Sequence, residues 1–169
     1  MKIIEAMKKI KDLQRKSEDL TAKIQANVAI LSYETPVYPD QQAQIDSWIQ
    51  SFHDIIKEIE ALRLAIQRTN LATTVEIELG KDRVKKNIAA WVHRRRDLAK
   101  AEQRLWTAVN DRGLKDGQVK QSNGELMDIK VRRFYDPRKR DEMVELYTSE
   151  PSAIDARLEI VNAITDLVD

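Results

Sequence analysis

The residues best suited to chemistry in this sequence are arginines that stand close to aromatic side chains. Trp91 is followed by His93 and by the consecutive arginines Arg94, Arg95 and Arg96. A guanidinium group offers a planar fork of donors that matches a phosphate or a carboxylate. Because a helix turns by about 100° per residue, three consecutive arginines cannot all face one partner. Arg95 shares the apolar stripe of its predicted helix, so we expect it to point inward.

Two interpretations of Arg95 remain open. It could pair with Glu102, seven residues further along the same stripe, or with an acidic residue of a neighbouring helix. Its donors could instead hold a phosphate at an interface. On the second interpretation, Trp91, Arg94 and Arg95 are candidate ligand-binding residues.

A second basic and aromatic cluster follows a glycine-rich turn. It contains Lys130, Arg132, Arg133 and Tyr135, with Phe134 between the last two. On an extended strand, Lys130 and Arg132 would share one face, and Arg133 and Tyr135 the other. Such a ribbon could hold a phosphate by arginine and stack a base on an aromatic ring. It could equally be a solvated strand face.

Short polar side chains near two helix ends form a third candidate set. Arg68, Asn70 and Thr73 end the predicted second helix, and Asn162 and Thr165 repeat the pattern near the C-terminus. An asparagine in such a place typically caps the helix or turns the chain. Beside Arg68, these groups could also bind a small polar ligand.

The residue sets that catalysis or metal binding would need are incomplete in this sequence. The chain has two histidines and no cysteine, so a nucleophile paired with histidine has few possible members. Glu142 and Glu145 could begin the carboxylate set of a Mg²⁺-dependent nucleotide hydrolase, but the second pair of acids is missing. The glycines lack the spacing of a phosphate-binding loop. We therefore expect no enzymatic activity, no catalytic residue, no metal and no cofactor.

Long helices are predicted to position these residues. The 169 residues include only 4 Gly and 4 Pro, and 34% are charged, which favours long exposed helices. Apolar residues recur every three or four positions over residues 2–32 and again over residues 40–68. Pro36 and Pro39 separate the two stretches, and Asp40 is predicted to cap the second helix. A short linker between two striped helices predicts an antiparallel hairpin.

The middle of the chain is predicted to mix strands with a helix. Alternating residues indicate a short strand over residues 74–79 and a second over residues 127–134, and the two could pair as a ribbon. Between them we expect a third helix over residues 81–112, followed by a glycine-rich turn or hairpin. The apolar stripe of that helix is Val84, Ile88, Trp91, Leu98, Leu105 and Val109.

The C-terminal region is predicted to form two helices. Asp136 and Pro137 are suited to the N-cap and first position of a helix that ends near residue 147, and Pro151 is predicted to begin the last helix. The predicted fold class is therefore mainly α, a long-helix hairpin or bundle with a small two-stranded β element in a single domain. The predicted parts of this domain of residues 1–169 are a hairpin in 1–70, a strand–helix–loop–strand region in 71–135 and C-terminal helices in 136–169.

Charge is distributed unevenly along the chain. Residues 81–140 hold 18 Lys and Arg against 8 Asp and Glu, although the net charge of the whole chain is only +1. Either acidic and basic helices pair with each other, or the central segment forms an anion-binding surface. The interspersed acidic residues argue against nucleic acid as the partner. The lack of cysteine, of a signal peptide and of an apolar run of about 20 residues predicts a cytoplasmic protein outside the membrane.

Four short motifs resemble a known family. They are IQRTNLAT at residues 66–73, RRDL at 95–98, DIK at 128–130 and N-x-x-TDL at 162–167. In this order they resemble the septicolysin-like family of small helical proteins of bacteria and their phages, over most of the chain. The resemblance implies a helical hairpin, a small β element, further helices and a homo-oligomer, and it implies no established activity. Pro151 and Ala163 depart from the family pattern, which has one continuous last helix and a Trp after the terminal Asn.

Two classes of function follow as hypotheses. The first is a non-catalytic oligomer that sequesters a small phosphorylated ligand such as a nucleotide-type immune signal, as phage anti-defence proteins of this kind do. The second is a structural or interaction protein whose heptad stripes bind partner helices, with no small-molecule ligand.

Overall fold

The computed structural model describes residues 1–168, which form the predicted mainly helical fold, with two small two-stranded sheets in place of the single one expected. The chain divides into two compact units, Met1–Thr74 with the residues from Glu159 onward, and Val75–Leu158. The elements in chain order are α1 (Ile3–Asn27), α2 (Gln41–Ala72), β1 (Thr74–Leu79), β2 (Asp82–Asn87), α3 (Ile88–His93), a π-helical turn (Arg94–Leu98), α4 (Ala99–Ala108), β3 (Gly117–Lys120), β4 (Leu126–Ile129) and α5 (Pro137–Ile164). No helix within residues 1–168 is long and apolar enough to cross a membrane.

The first unit contains the predicted antiparallel hairpin of α1 and α2. Lys9 near the start of α1 forms an ion pair with Glu58, and the Gln41 side chain at the start of α2 donates to the carbonyl of Asn27, where α1 ends. This reversed order of contacts confirms the antiparallel arrangement. Asp40 caps α2 as predicted, since its carboxylate accepts the backbone N–H of Ala43 at 2.9 Å.

Both predicted ends of the hairpin helices need correction. The apolar pattern continues to Leu31, but α1 ends at Asn27, and both Ile30 and Leu31 are exposed. These apolar residues have no packing partner, so periodicity alone does not extend the helix. Conversely, α2 continues past residue 68 to Ala72, because the N–H of Thr73 still donates to the carbonyl of Thr69. Asn70 therefore lies inside the helix and does not cap it.

The two ends of the described chain meet in the first unit. The N–H of Ile3 donates to the carbonyl of Thr165, and the N–H of Leu167 donates to the carbonyl of Met1. The hydroxyl of Thr69, which is fully buried, accepts the N–H of Val168 at 2.9 Å. These bonds give the backbone groups near the start of α1 and the end of α5 their hydrogen-bond partners. The buried residues of this unit are Ile3, Ala6, Leu13, Ile45, Ile59, Thr69 and Val161.

The second unit opens with a hairpin that the sequence analysis did not predict. β1 pairs with β2, and Gly80 makes the turn between them with a φ of +63°. All six residues of β2 were predicted to be helical. They form a strand instead, because a glycine with positive φ allows the chain to reverse tightly. The predicted pairing of residues 74–79 with residues 127–134 is wrong. A local pairing has a much shorter loop to close than that ribbon.

The predicted glycine-rich turn does form a hairpin, from β3 and β4. The strands are antiparallel, with Gly117 opposite Ile129 and Lys120 opposite Leu126. Every residue of both strands is exposed. The second strand ends at Ile129, five residues before the predicted end, so Lys130 and Arg132 do not share a strand face.

A π-helical turn divides the predicted third helix. Residues 94–98 adopt π geometry between α3 and α4, which adds one residue to that turn. Residues after it are rotated by about 100° from their positions in a continuous α-helix. The stripe accordingly moves by one position, since Leu98 and Leu105 are exposed while Ala99 is fully buried. The predicted positions of Leu98 and Leu105 in the stripe are therefore wrong.

The C-terminal region is one helix and not two. α5 begins at Pro137 as predicted, with the Asp136 carboxylate accepting the N–H of Arg138, and it runs without a break to Ile164. Pro151 lies inside this helix. Ile154, three residues after Pro151, is fully buried in the second unit. Packing of the residues on either side maintains the helix across the proline, which by itself would favour a break.

Replacing Pro151 by alanine is expected to stabilise the protein. Proline has no N–H for the carbonyl of Tyr147 four residues earlier, and an interior proline costs about 3 kcal/mol relative to alanine. We expect Pro151→Ala to raise the free energy of unfolding by roughly 1 to 3 kcal/mol in urea denaturation followed by circular dichroism. The control, Ser152→Ala at the next and exposed position, should change it by no more than about 0.5 kcal/mol. A loss of stability in Pro151→Ala would show that the proline relieves strain in α5.

Candidate binding surfaces

Arg94 is the centre of an ion-pair network within the second unit. Its Nε and Nη2 donate to the two carboxylate oxygens of Glu150 at 2.7 and 2.6 Å, and Nη2 also donates to Glu102 at 2.6 Å. The guanidinium lies 5.6 Å from the ring centre of Tyr147. Glu150 is only 1% exposed. The network therefore encloses the guanidinium group of Arg94, and the carboxylates of Glu150 and Glu102 compensate its charge.

The electrostatics of this network follow from its hydrogen bonds. The bidentate contact with Glu150 raises the pKa of Arg94, an effect opposed by burial, and the Glu102 contact raises it further. The same contact with Arg94 lowers the pKa of Glu102. Arg94 and Glu102 are thus held in their charged forms, and the donors of Arg94 are used internally.

The inward-pointing arginine is Arg94, and the prediction for Arg95 is wrong. Arg95 is exposed and forms an ion pair with Asp155 of α5, with Nε 2.7 Å from Oδ1. The alternative that it pairs with an acid of another helix is therefore confirmed, while its pairing with Glu102 is not. Arg94 follows the buried Trp91 by three residues at the start of the π-helical turn, so both side chains lie on the inward face of the helix.

Trp91 lies in the core of the second unit and not on its surface. Its side chain is 0% exposed, and the indole Nε1 donates to the carbonyl of Val75 in β1 at 3.0 Å. The Nζ of Lys86 lies 5.9 Å from the ring centre. The ring therefore has no free face for a ligand, and it ties α3 to the β1–β2 hairpin.

The carboxylate of Asp111 binds two residues of the second basic and aromatic cluster. Arg133 donates from Nε and Nη2 to the two Asp111 oxygens at 2.7 and 2.5 Å, and the Tyr135 hydroxyl donates at 2.6 Å. The Arg133 contact, followed by the tyrosine hydrogen bond, lowers the pKa of Asp111 to about 2. Asp111 in turn raises the pKa of Tyr135. Arg133 and Tyr135 are thus brought together because both donate hydrogen bonds to the Asp111 carboxylate.

The Asp111 contact is expected to make stability depend on pH in the acid range. Because its folded pKa of about 2 is below the ordinary 3.8, the ionised carboxylate stabilises the folded state above pH 3.8. This contribution is lost as the pH falls toward 2. Carbon-detected NMR titration should report a pKa near 2 for Asp111. In Arg133→Gln it should return toward the ordinary value, and an unchanged pKa would contradict the contact.

Three residues of the loop that follows β4 remain open to solvent. The guanidinium of Arg132 lies 5.1 Å from the ring centre of Phe134, and Phe134 is 86% exposed. Lys130 is exposed and has no ion pair with any residue in 1–168. The N–H of Val131 donates to Asp116 at 2.7 Å, which holds the loop backbone beside them. An exposed cation–aromatic pair of this kind can contact an anion and a flat ring.

The third candidate set belongs to the first unit. Arg68 is exposed, Asn70 and Asn162 are half-buried within α2 and α5, and Thr73 is the C-cap of α2. The side-chain oxygen of Asn70 is buried and has no hydrogen-bond partner among residues 1–168. No cluster of three or more His, Asp or Glu residues that could hold a metal ion occurs within the same range.

Sequence analysis missed one surface, an apolar edge of α2 beside α1. Ile49, Ile56 and Leu64 are 40%, 43% and 44% exposed, whereas Ile45 and Ile59 of the same helix are buried. Their spacings of seven and eight residues define a second stripe, which was a detectable signal. We call these three residues the outer stripe. A groove of about 470 Å³ runs beside it, lined by Ile56, Leu64 and polar residues of both helices, among them Gln14, Glu18, Glu60 and Arg63.

The two units thus define a mainly helical protein with an open helical hairpin and an exposed basic loop. No protein-family model matches the chain, and no curated protein matches it. Among solved structures, it is similar to the crystal structure of a functionally unknown conserved protein from Corynebacterium diphtheriae. The identity is 19%, the alignment covers 99% of each chain, and the TM-score is 0.58. At this identity the similarity establishes the fold alone.

Proposed function

We propose that this protein is a non-catalytic interaction protein whose helical hairpin binds further helices through the outer stripe of α2. The supporting observation is that α2 has two apolar faces. One contains the buried Ile45, and the outer stripe lies beside it, with Ile56 about 20°, Ile49 about 40° and Leu64 about 100° around the helix axis from Ile45. A second exposed apolar stripe on a helix is the usual surface for another helix to pack against.

The ion pairs formed by the arginines also favour an interaction role over phosphate binding. Arg94, Arg95 and Arg133 each have a carboxylate partner within the second unit. A phosphate ligand would have to displace those carboxylates and leave at least Glu150 buried without its partner. Such a displacement is costly for a buried charge. The interaction role, which the sequence analysis placed second, is therefore our first proposal.

The test of this proposal is native mass spectrometry of the protein purified gently from its own cells. We expect a complex with at least one further polypeptide, and we expect Ile56→Lys to abolish it. Ala61→Lys is the matched control, because it introduces the same charge on the solvent face of the same helix and should leave the complex intact. The proposal fails if Ile56→Lys and the original chain give the same assemblies while circular dichroism shows both to be folded.

Sequestration of a small phosphorylated ligand is the second candidate, supported by the exposed loop after β4. Lys130 and Arg132 offer uncompensated positive charge beside the exposed ring of Phe134. A nucleotide could place its phosphate on the cations and its base on the ring. This role would fit the proposed membership of the septicolysin-like family and an anti-defence role in a phage. For either role we propose a cytoplasmic location, since a chain without cysteine suits a reducing compartment.

This second candidate has its own test. Native mass spectrometry after mixing with a panel of cyclic and linear nucleotides should reveal a stoichiometric adduct that is released unchanged on denaturation. Arg132→Glu should abolish the adduct, whereas Arg112→Glu, an exposed arginine outside the loop, should keep it. A protein that stays empty against the whole panel would reject ligand sequestration and leave the interaction role in place.

A further inference from the structure

We infer that Asn123, at the tip of the β3–β4 hairpin, is a site of covalent modification, where the side-chain amide is lost through a cyclic imide formed with the backbone nitrogen of Gly124. Of the six asparagines in the chain, Asn123 alone is followed by glycine. Asn123 lies in the second unit, so the reaction needs neither the outer stripe nor its partner.

The turn between β3 and β4 presents these two residues to solvent. The N–H of Gly124 donates to the carbonyl of Gln121 at 3.0 Å, and the N–H of Gln121 donates to the carbonyl of Glu125 at 2.8 Å. Gly124 has a φ of +87°, so residues 122–124 close a three-residue hairpin loop that ends in a glycine bulge. Asn123 and Gly124 are both exposed, and the position of a side-chain carbon on Gly124 would be open space among the described residues.

Glycine is the residue that best permits this reaction. It has no side chain to obstruct the approach of its own nitrogen to the preceding carboxamide, and its backbone rotates most freely. The Gly124 nitrogen loses its proton to base and attacks Cγ of Asn123. The Cγ–Nδ2 bond then breaks, and ammonia leaves with a proton taken from water, which gives a five-membered imide.

Water opens the imide in one of two ways. Addition at Cγ gives aspartate, and addition at the backbone carbonyl carbon gives isoaspartate. In either case one amide and one water molecule become one carboxylate and one ammonium ion, so no oxidant or reductant is needed. Both products add a negative charge, and isoaspartate also adds one carbon atom to the backbone of the turn. Because turn geometry fixes hairpin register, we expect isoaspartate to disturb the pairing of Lys120 with Leu126.

Hydrogen bonds of the folded turn restrain both reacting groups. Nδ2 of Asn123 donates to the Glu125 carboxylate at 3.2 Å, and Oδ1 accepts the N–H of Glu125 at 3.1 Å. The N–H of Gly124, which must lose its proton, is bonded to the Gln121 carbonyl. Attack therefore requires the turn to open. Every residue of β3 and β4 is exposed, and an isolated two-stranded hairpin is marginally stable in water, so opening costs little.

The modification is tested by ageing the complete protein in buffers from mildly acidic to mildly alkaline pH, followed by digestion and mass spectrometry. We expect conversion at Asn123 to be at least about tenfold faster than at Asn110, which is also exposed but precedes Asp111. The rate should rise with pH because the deprotonated nitrogen is the nucleophile. Isoaspartate should appear as a second product with the mass of the aspartate form. Equal rates at the two asparagines, or aspartate without isoaspartate, would overturn the inference, since direct hydrolysis of the carboxamide gives aspartate alone.

Gly124→Ala tests the nucleophile. The added methyl group obstructs the attacking nitrogen, so conversion at Asn123 should slow by at least about tenfold. Alanine is disfavoured at a φ of +87°, but a turn loosened by that strain would react faster and not slower. Slower conversion therefore identifies the obstructed attack even where the variant hairpin is less stable. Conversion at the original rate would overturn the assignment of Gly124 as the nucleophile.

Glu125→Ala tests the restraint by the folded turn. Loss of the carboxylate that holds Nδ2 should speed conversion at Asn123 by about two- to fivefold. Glu125→Gln is the matched control, because its side-chain oxygen can still accept the same hydrogen bond and should keep the rate close to the original. A Glu125→Ala protein that converts no faster than the original chain would overturn the restraint.

Discussion

Replacing Glu150 by alanine is expected to lower the free energy of unfolding by about 3 kcal/mol or more. Glu150 is almost completely buried and accepts two charge-assisted hydrogen bonds from Arg94. Removing it leaves Arg94 enclosed with only Glu102 as a carboxylate partner, so most of the desolvation cost of the guanidinium is no longer offset. Urea denaturation followed by tryptophan fluorescence measures the change.

Two further variants refine this test. One distinguishes the charge of Glu150 from the volume of its side chain, and the other compares this buried ion pair with an exposed one. Glu150→Gln keeps the volume of the side chain but removes its charge, so it should destabilise less than Glu150→Ala. Arg95→Ala, at the residue after Arg94, breaks the exposed ion pair with Asp155 of α5, and it should destabilise far less than Glu150→Ala because water screens exposed pairs. Similar losses for Glu150→Ala and Arg95→Ala would mean that the Arg94 network is not buried as described.

The Arg94 and Arg95 assignments show where sequence reasoning reached its limit. Trp91 and Arg95 are four residues apart and lie on one face of a continuous α-helix, so the prediction followed correctly from the 3.6-residue period. Arg94, three residues after Trp91, lies on that face as well, and the π-helical turn changes the phase of the residues that follow it. Nothing in the composition of residues 94–98 marks such a turn. It depends on the fit of Trp91 and Ala99 into the same core, which only the tertiary structure reveals.

Local signals that depend on a single residue were read more reliably. The Asp40 cap and the Pro137 start were predicted because each is determined by backbone chemistry within a few residues. Pro151 was misread for the opposite reason. Its local preference for a helix break is overcome by the packing of α5, including the fully buried Ile154.

The candidate surfaces were only partly predictable for a related reason. The basic loop was found because Arg132 and Phe134 are close in sequence, but the two residues lie in the loop after β4 and not on the expected strand. The outer stripe was overlooked because Ile49 and Ile56 lie beside a stronger apolar stripe that includes Ile45 and Ile59. Which of two neighbouring stripes faces α1 is decided by the rotation of the helices, and that rotation is not encoded in spacing alone.

Trp91→Ala should be the most destabilising single substitution in the second unit. The side chain is the largest that is fully buried, and its removal leaves a cavity as well as an unpaired carbonyl at Val75. Truncation of a buried tryptophan typically costs about 3 to 5 kcal/mol. Trp91→Phe keeps most of the ring but removes the Nε1 donor, and it should cost less. Thermal and urea unfolding followed by circular dichroism can rank the three proteins.

Leu105→Ala is the matched control for Trp91→Ala, and it also tests the phase change at the π-helical turn. In a continuous α-helix, Leu105 would share the stripe of Trp91, and its truncation would cost about 2 to 5 kcal/mol. In the structure Leu105 is 62% exposed, so the expected change is within about 0.5 kcal/mol. A large loss in Leu105→Ala would contradict the π-helical turn. A small loss in Leu105→Ala beside a large one in Trp91→Ala would support the shift of the buried stripe from Leu98 to Ala99 after the π-helical turn.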